Sequence, residues 1–111
     1  MKSINSLNRN RDFKRIYSKG KYVSSKLLVT YVLKNRLKTI RVGITTSKKI
    51  GNAVQRNRCR RIIRAAWLPI QKQIPKCFDI VFVARNDTPN VKSYDISKDM
   101  LYQFRKIGLL K

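Results

Sequence analysis

IRVGITTSKKIGNAVQRNRCRRIIRAAW, residues 40–67, passes from strand chemistry to helix chemistry, and the fold turns on that change. IRVGITTS, residues 40–47, reads as a strand rich in β-branched side chains. Lys48-Lys49-Ile50-Gly51 then leads to Asn52, whose side chain can cap a helix while Gln55 reaches back from the third position, a capping-box pattern. With Val54 set at zero and about 100° per residue, Cys59, Ile62, Ile63, Ala66 and Ile70 gather near about 130°, the face expected to pack on a sheet. The helix is expected to run from about Ala53 toward Ile74, with Pro69 kinking or ending it because it has no N–H to donate.

Downstream, DIVFVAR at 79–85 is the continuous apolar run of a buried strand, closed by the turn residues Asp87-Thr88-Pro89. A last helix starts near Ser93, with Ile96, Met100, Phe104 and Ile107 on one stripe and Gly108 at its end. Upstream, a helix over about 9–18 has Asn8 or Asn10 as its cap, Phe13, Ile16 and Tyr17 at helical spacing, and Gly20 beyond its end. YVSSKLLVTYVL, residues 22–33, reads as a strand or two, with Val23, Leu27, Val29, Tyr31 and Leu33 sharing a face, and Asn35 to Lys38 makes the next turn. The order αβββαβα over residues 1–111 gives one α+β domain, an α/β sandwich with helices packed on a mixed sheet.

The polar side of the central helix has an unusual composition. Arg56, Arg60 and Arg64 form one ridge at i, i+4, i+8, and Arg58 and Arg61 a second ridge around the polar surface. Arginines near a helix N-terminus meet the positive end of its dipole, and each like-charged i, i+4 pair costs about 0.2–0.5 kcal/mol in an isolated helix. A solvated charged face normally mixes signs, yet residues 48–78 contain no acid. An acid-free arginine surface suits phosphate, which the planar guanidinium binds in pairs.

The whole chain agrees with that reading. Twenty-seven Lys and Arg against five acids give a formal charge of +22, with no histidine to soften it near neutrality. The charge runs through a chain that is 42% hydrophobic, so a folded nucleic-acid binder is implied and a disordered basic tail is not. Cys59 and Cys77 have no metal-ligand spacing and are read as reduced thiols. No secretory signal and no membrane span is evident, so the cytoplasm is the expected location.

Phe13 and Tyr17, at i and i+4, sit among Arg9, Arg11, Lys14, Arg15, Lys19 and Lys21. Such a pair usually faces a core, but aromatics flanked by cations also make a stacking platform for unpaired bases; Tyr31 either extends it or is a core tyrosine with a satisfied hydroxyl. Trp67 is assigned to packing. The acids Asp12, Asp79, Asp87, Asp95 and Asp99 are scattered singly, and no pair for general acid and base work and no metal cluster stands out.

The sequence resembles the protein subunit of bacterial ribonuclease P across NRDFKRIYSKGK, LLVTYVL, the stretch quoted at the outset and FDIVFVAR, with SKKIGNAVQRNR, Arg61 and Arg64 as the specific core. The resemblance implies that an RNA subunit performs the hydrolysis with bound Mg2+, and that one protein joins each ribonuclease P RNA to process precursor tRNA. It implies contact with that RNA at Lys48, Lys49, Arg56, Asn57, Arg58 and Arg61. It also implies a cleft between the arginine helix and the sheet that holds the precursor's 5′ leader on Phe13, Tyr17 and Tyr31, with Arg60 and Arg64 at its edge. It further implies a left-handed crossover from the strand at 40–47 through the helix to the strand near 80. Tyr17 stands where phenylalanine is common, Ala65 where a polar residue usually follows the last arginine, and Pro69 interrupts the helix. The alternative is a small basic ribosomal or RNA-chaperone protein with no role in cleavage; an architectural DNA-binding protein and a self-sufficient nuclease are further rivals.

Overall fold

The computed structural model describes residues 6, 7 and 9–110. In chain order the elements are α1 (Asn10–Lys19), β1 (Lys21–Ser24), β2 (Leu28–Lys34), β3 (Arg41–Thr45), α2 (Ala53–Trp67), β4 (Phe78–Ala84) and α3 (Ser93–Ile107), with short 3-10 turns at Lys48–Ile50, Gln71–Gln73 and Thr88–Asn90. The αβββαβα order matches the expectation from sequence.

The apolar run around residue 80 becomes the inner strand. The sheet order is β1-β2-β4-β3, with β4 antiparallel to β2 and parallel to β3. A strand covered on both faces needs apolar side chains on both, and Ile80, Val81 and Phe82 are all fully buried. On one face α2 and α3 bury Cys59, Ile63, Ala66, Trp67, Ile96, Met100 and Phe104 against Leu28, Val32, Val42, Ile80 and Phe82. Trp67, Phe82 and Phe104 meet with ring centroids 5.5–6.2 Å apart, each such pair contributing about 0.5–1.5 kcal/mol beyond area burial. On the other face, α1 sets Ile16 against Val81 with Leu7 beside it.

Residues 22–33 form two strands, and this moves two side chains from their expected face. Ser25 N donates to Leu28 O at 2.9 Å, turning the chain into a hairpin with Tyr22 opposite Tyr31 and Val23 opposite Thr30. Val29, Tyr31 and Leu33 do point toward α1. Val23 instead shares the α3 side with Thr30, whose Oγ1 donates to Gln103, and Leu27 packs into the larger core. A turn between two strands resets the period-2 alternation, which a single-strand reading carries straight through.

The helix ends also differ from expectation. Asn10 is already helical; Arg9 occupies the cap position of α1 without a side-chain bond, and Asn8 lies outside the described residues. Gly20 follows the helix because a Cβ there would come within 2.6 Å of Ile16 O and 2.7 Å of Val32 O. In α2, Asn52 Oδ1 accepts from Gln55 N at 3.0 Å, half of the capping box. The Gln55 carboxamide folds over Gly51, whose φ of 144° favours glycine and whose missing Cβ makes the room. The helix stops at Trp67 and does not reach Ile74. Tighter bonds, Ile70 N to Trp67 O and Gln73 N to Ile70 O, carry the chain past Pro69, and Ile70 and Ile74 remain buried.

The hand of the β3–α2–β4 crossover follows from two carbonyls. In a strand of L-residues running upward, a residue whose side chain faces the viewer directs its N–H and C=O to the right. Val42 faces α2, and its carbonyl turns outward to accept from Leu7 N at 2.9 Å. β4 therefore lies to the left of β3 as seen from α2. Cys77, of opposite parity to Ile80, agrees, since its carbonyl accepts from Asn35 N on the β2 side at 2.7 Å. A parallel connection stepping left beneath its helix is left-handed, against the usual rule.

Candidate nucleic-acid interface

The central helix separates its two chemistries by angle. Cys59, Ile63, Ala66 and Trp67 are buried, whereas Arg58, Arg60, Arg61 and Arg64 are exposed and Arg56 is half-buried. Arg58 and Arg61 line a groove against Val91, Lys92 and Ser93, at the start of α3. Because α3 covers β1 and β2 while α2 lies along β3, the ridge of Arg60 and Arg64 across the helix faces the β3 edge of the sheet. Two arginines have neutral partners: Arg56 Nη1 donates to Gly51 O at 2.8 Å, and Arg60 Nη1 to Asn57 Oδ1 at 2.8 Å. Among the described residues no carboxylate pairs with any arginine of α2. Lys48 and Lys49, exposed on the turn before the helix, add to the same field. Their charges and the N-terminal end of the α2 dipole have one sign, and a polyanion neutralises them together.

Phe13, Tyr17 and Tyr31 come together on the opposite face. The Phe13 and Tyr17 rings are 6.3 Å apart; Tyr17 meets Tyr31 edge-on at 4.9 Å; and Tyr31 leans on Tyr22 at 5.5 Å. The row is open to solvent, with Tyr17 41% and Tyr22 65% exposed. Tyr22 is the member that sequence reasoning missed. Its signal was the hairpin register, which sets it directly across from Tyr31.

The cleft expected between the arginine helix and the sheet is absent, because that space is filled by the core around Trp67 and Phe82. The aromatic row lies instead where α1 meets the other face of the sheet. At its β3 end Phe13 packs against Gly43.

Sequence reasoning also missed a buried charge. Asp79 is fully buried within β4 and accepts from Arg41 Nε and Nη2 at 2.9 and 2.8 Å, Arg15 Nη2 at 3.0 Å and Asn35 Nδ2 at 2.8 Å. Burial by itself would raise its pKa, but the donors Arg41 and Asn35 and the charges of Arg41 and Arg15 hold the carboxyl below its ordinary range. An aspartate in an apolar strand was the visible clue; its partners are 38, 44 and 64 residues away.

Comparisons with known proteins bear on the family and the fold. A family profile described as Ribonuclease P matches residues 1–108. The chain is 36% identical over 110 residues to the ribonuclease P protein component of Alkaliphilus oremlandii, covering 99% of this chain and 96% of that one. It is 43% identical over 95 residues to the counterpart in Clostridioides difficile, covering 85% and 83%. Among solved structures, the Staphylococcus aureus RNase P protein superposes with a TM-score of 0.84 at 30% identity, covering 98% of this chain and all of that one. The Thermotoga maritima protein gives 0.78 at 29% identity, covering 88% and 93%. With the profile spanning nearly its whole length and relatives matching end to end, the chain belongs to the ribonuclease P protein component family.

Proposed function

We propose that this chain grips two RNAs at once: the catalytic RNA of ribonuclease P through α2, and the 5′ leader of precursor tRNA through the aromatic row. In this reading Lys48, Lys49, Arg56, Asn57, Arg58 and Arg61 hold phosphates of the RNA subunit. Phe13, Tyr17 and Tyr31, joined by Tyr22, stack on unpaired leader bases, each stack worth about 1–3 kcal/mol. Arg60 and Arg64 steady the leader's backbone at the β3 edge. The observation that carries the reading is the placement of an acid-free arginine helix and an open row of four aromatic rings on opposite faces of one sheet.

The chain's contribution to cleavage is then differential binding: a precursor has a leader to stack and a mature tRNA has none. Among the described residues no three metal-ligating side chains converge. In this proposal Mg2+ is held mainly by the RNA subunit, and the protein's own groups bind and orient. One protein per catalytic RNA is proposed, in the cytoplasm; among the described residues no helix is long and apolar enough to cross a membrane.

The test mixes the chain with its cognate catalytic RNA and follows cleavage and binding of precursor and mature tRNA at limiting magnesium. Faster cleavage and a selective gain in precursor affinity are expected. A chain that leaves cleavage unchanged would behave as a ribosomal or RNA-chaperone protein, and the proposal would fall.

A further inference from the structure

α1 divides its face of the sheet into two flanks. Ile16 is fully buried beneath the helix; Phe13 and Tyr17 leave it on one side, and Asp12 and Arg15 on the other. On this second flank, where α1 meets the β2–β3 turn and the start of β3, lies a depression of about 400 Å³. Arg11, Arg15, Lys34, Arg36 and Arg41 line it, with Asp12 as the acid among them.

Asp79, buried beneath, turns part of this cluster into a fixed frame. It grips Arg41 through two N–H groups and Arg15 through one. A guanidinium carries five such donors, so most of those on both arginines are not engaged by Asp79. A carboxylate placed only to balance one buried charge would need one cation, whereas two hold Asp79, and Arg11, Lys34 and Arg36 line the same depression beside Asp12. Surplus cations held in place with donors to spare match the oxygens of a phosphate group.

We propose that this depression is a second RNA-phosphate site and that it takes the backbone of a folded RNA, not the unpaired strand lying on the aromatic row. The body of α1, about 10–12 Å across, stands between the two flanks. A strand stacked on Tyr17 and Tyr31 cannot place its neighbouring phosphates on both. The site rests on the ribonucleoprotein reading only for the identity of that RNA, which is the catalytic subunit; the anion chemistry rests on the pocket.

The experiment has two arms and uses the full chain. In the first, the side-chain Nε–Hε resonances of Arg15 and Arg41 are followed while inorganic pyrophosphate is added. Saturable shifts at both are expected, much weakened in the double variant Lys34→Ala/Arg36→Ala, which leaves Asp79 and its partners untouched. In the second, that variant is compared with the parent for binding the catalytic RNA and a single-stranded leader oligonucleotide over a range of salt. Its slope of log affinity against log salt should fall by about 1 for the catalytic RNA and stay unchanged for the oligonucleotide. Arginine resonances indifferent to pyrophosphate would overturn the phosphate site. An unchanged slope for the catalytic RNA, or a lowered one for the oligonucleotide, would overturn its assignment to folded RNA. A parent chain that ignores the catalytic RNA altogether would defeat the ribonucleoprotein reading and the assignment to that RNA with it, while the pyrophosphate arm would still decide the pocket.

Discussion

The ring of Phe13 occupies the space a Cβ on Gly43 would need: that atom would lie 2.6 Å from Phe13 Cε1 and 2.7 Å from Cζ. The end of the aromatic row is thus seated on a bare stretch of β3 backbone, and the glycine sets how low the ring can lie.

Gly43→Ala should therefore lift Phe13 off the strand. Overpacking of this kind costs about 1–3 kcal/mol, read from the unfolding midpoint with the buried Trp67 as fluorescent reporter. Leader affinity should drop along with it. Wild-type leader binding in this variant would show that the seat of Phe13 does not matter to the row.

Phe13→Ala and Tyr22→Ala should each weaken precursor binding by about 1–3 kcal/mol, a stack's worth, with little effect on mature tRNA or on assembly with the catalytic RNA. Arg58→Ala should do the reverse, weakening assembly and lowering its salt slope by about 1. Equal effects of both kinds of change in both assays would contradict two separate surfaces.

The uncompensated charge of α2 predicts a polyanion-dependent stability. Sulfate or a short RNA that binds only the folded chain should raise the melting temperature, by about 2.7 kcal/mol of stability when present at a hundredfold excess over its Kd. If six to ten phosphates are neutralised in the complex, affinity should fall roughly 10³–10⁵-fold between about 50 and 200 mM salt. A flat response to both would remove the electrostatic basis of the reading.

Asp79 predicts an acid limit. Its carboxyl titrates lower in the folded chain than its ordinary value of 3.8, so the stability it contributes is complete above that value and is lost as pH falls through the lower folded one. Asp79→Asn should cost about 1–3 kcal/mol at neutral pH and flatten the loss of stability below about pH 4. A variant with the parent's acid-unfolding curve would show that the carboxylate is not the group responsible.

The two thiols should differ in reactivity. Cys59 is fully buried, and burial, opposed by Arg60, pushes its pKa up, whereas Cys77 is only half-buried. In the native chain an alkylating reagent should modify Cys77 first and reach Cys59 at the rate of opening. Equal rates at both would mean that the α2 contact with the sheet opens far more readily than its core implies.

What the sequence determined was local. Asn52, the spacing of Cys59, Ile63 and Ala66, and the absence of acids from 48–78 fix the start, buried face and charge of α2, because each acts within a turn or two of helix. The same holds for the stripe of α3 and the apolar run of β4. Only the tertiary structure decided what depends on distant segments meeting. The hairpin at Ser25–Leu28 brought Tyr22 across to Tyr31 and moved Val23 to the other face; Trp67 and Phe82 filled the space where a cleft was expected; and Asp79 collected Arg15, Asn35 and Arg41 from three other segments. Helical spacing and capping are readable from one sequence because the backbone links their members directly. A sheet register or a buried ion network has no such link, since packing alone chooses its members.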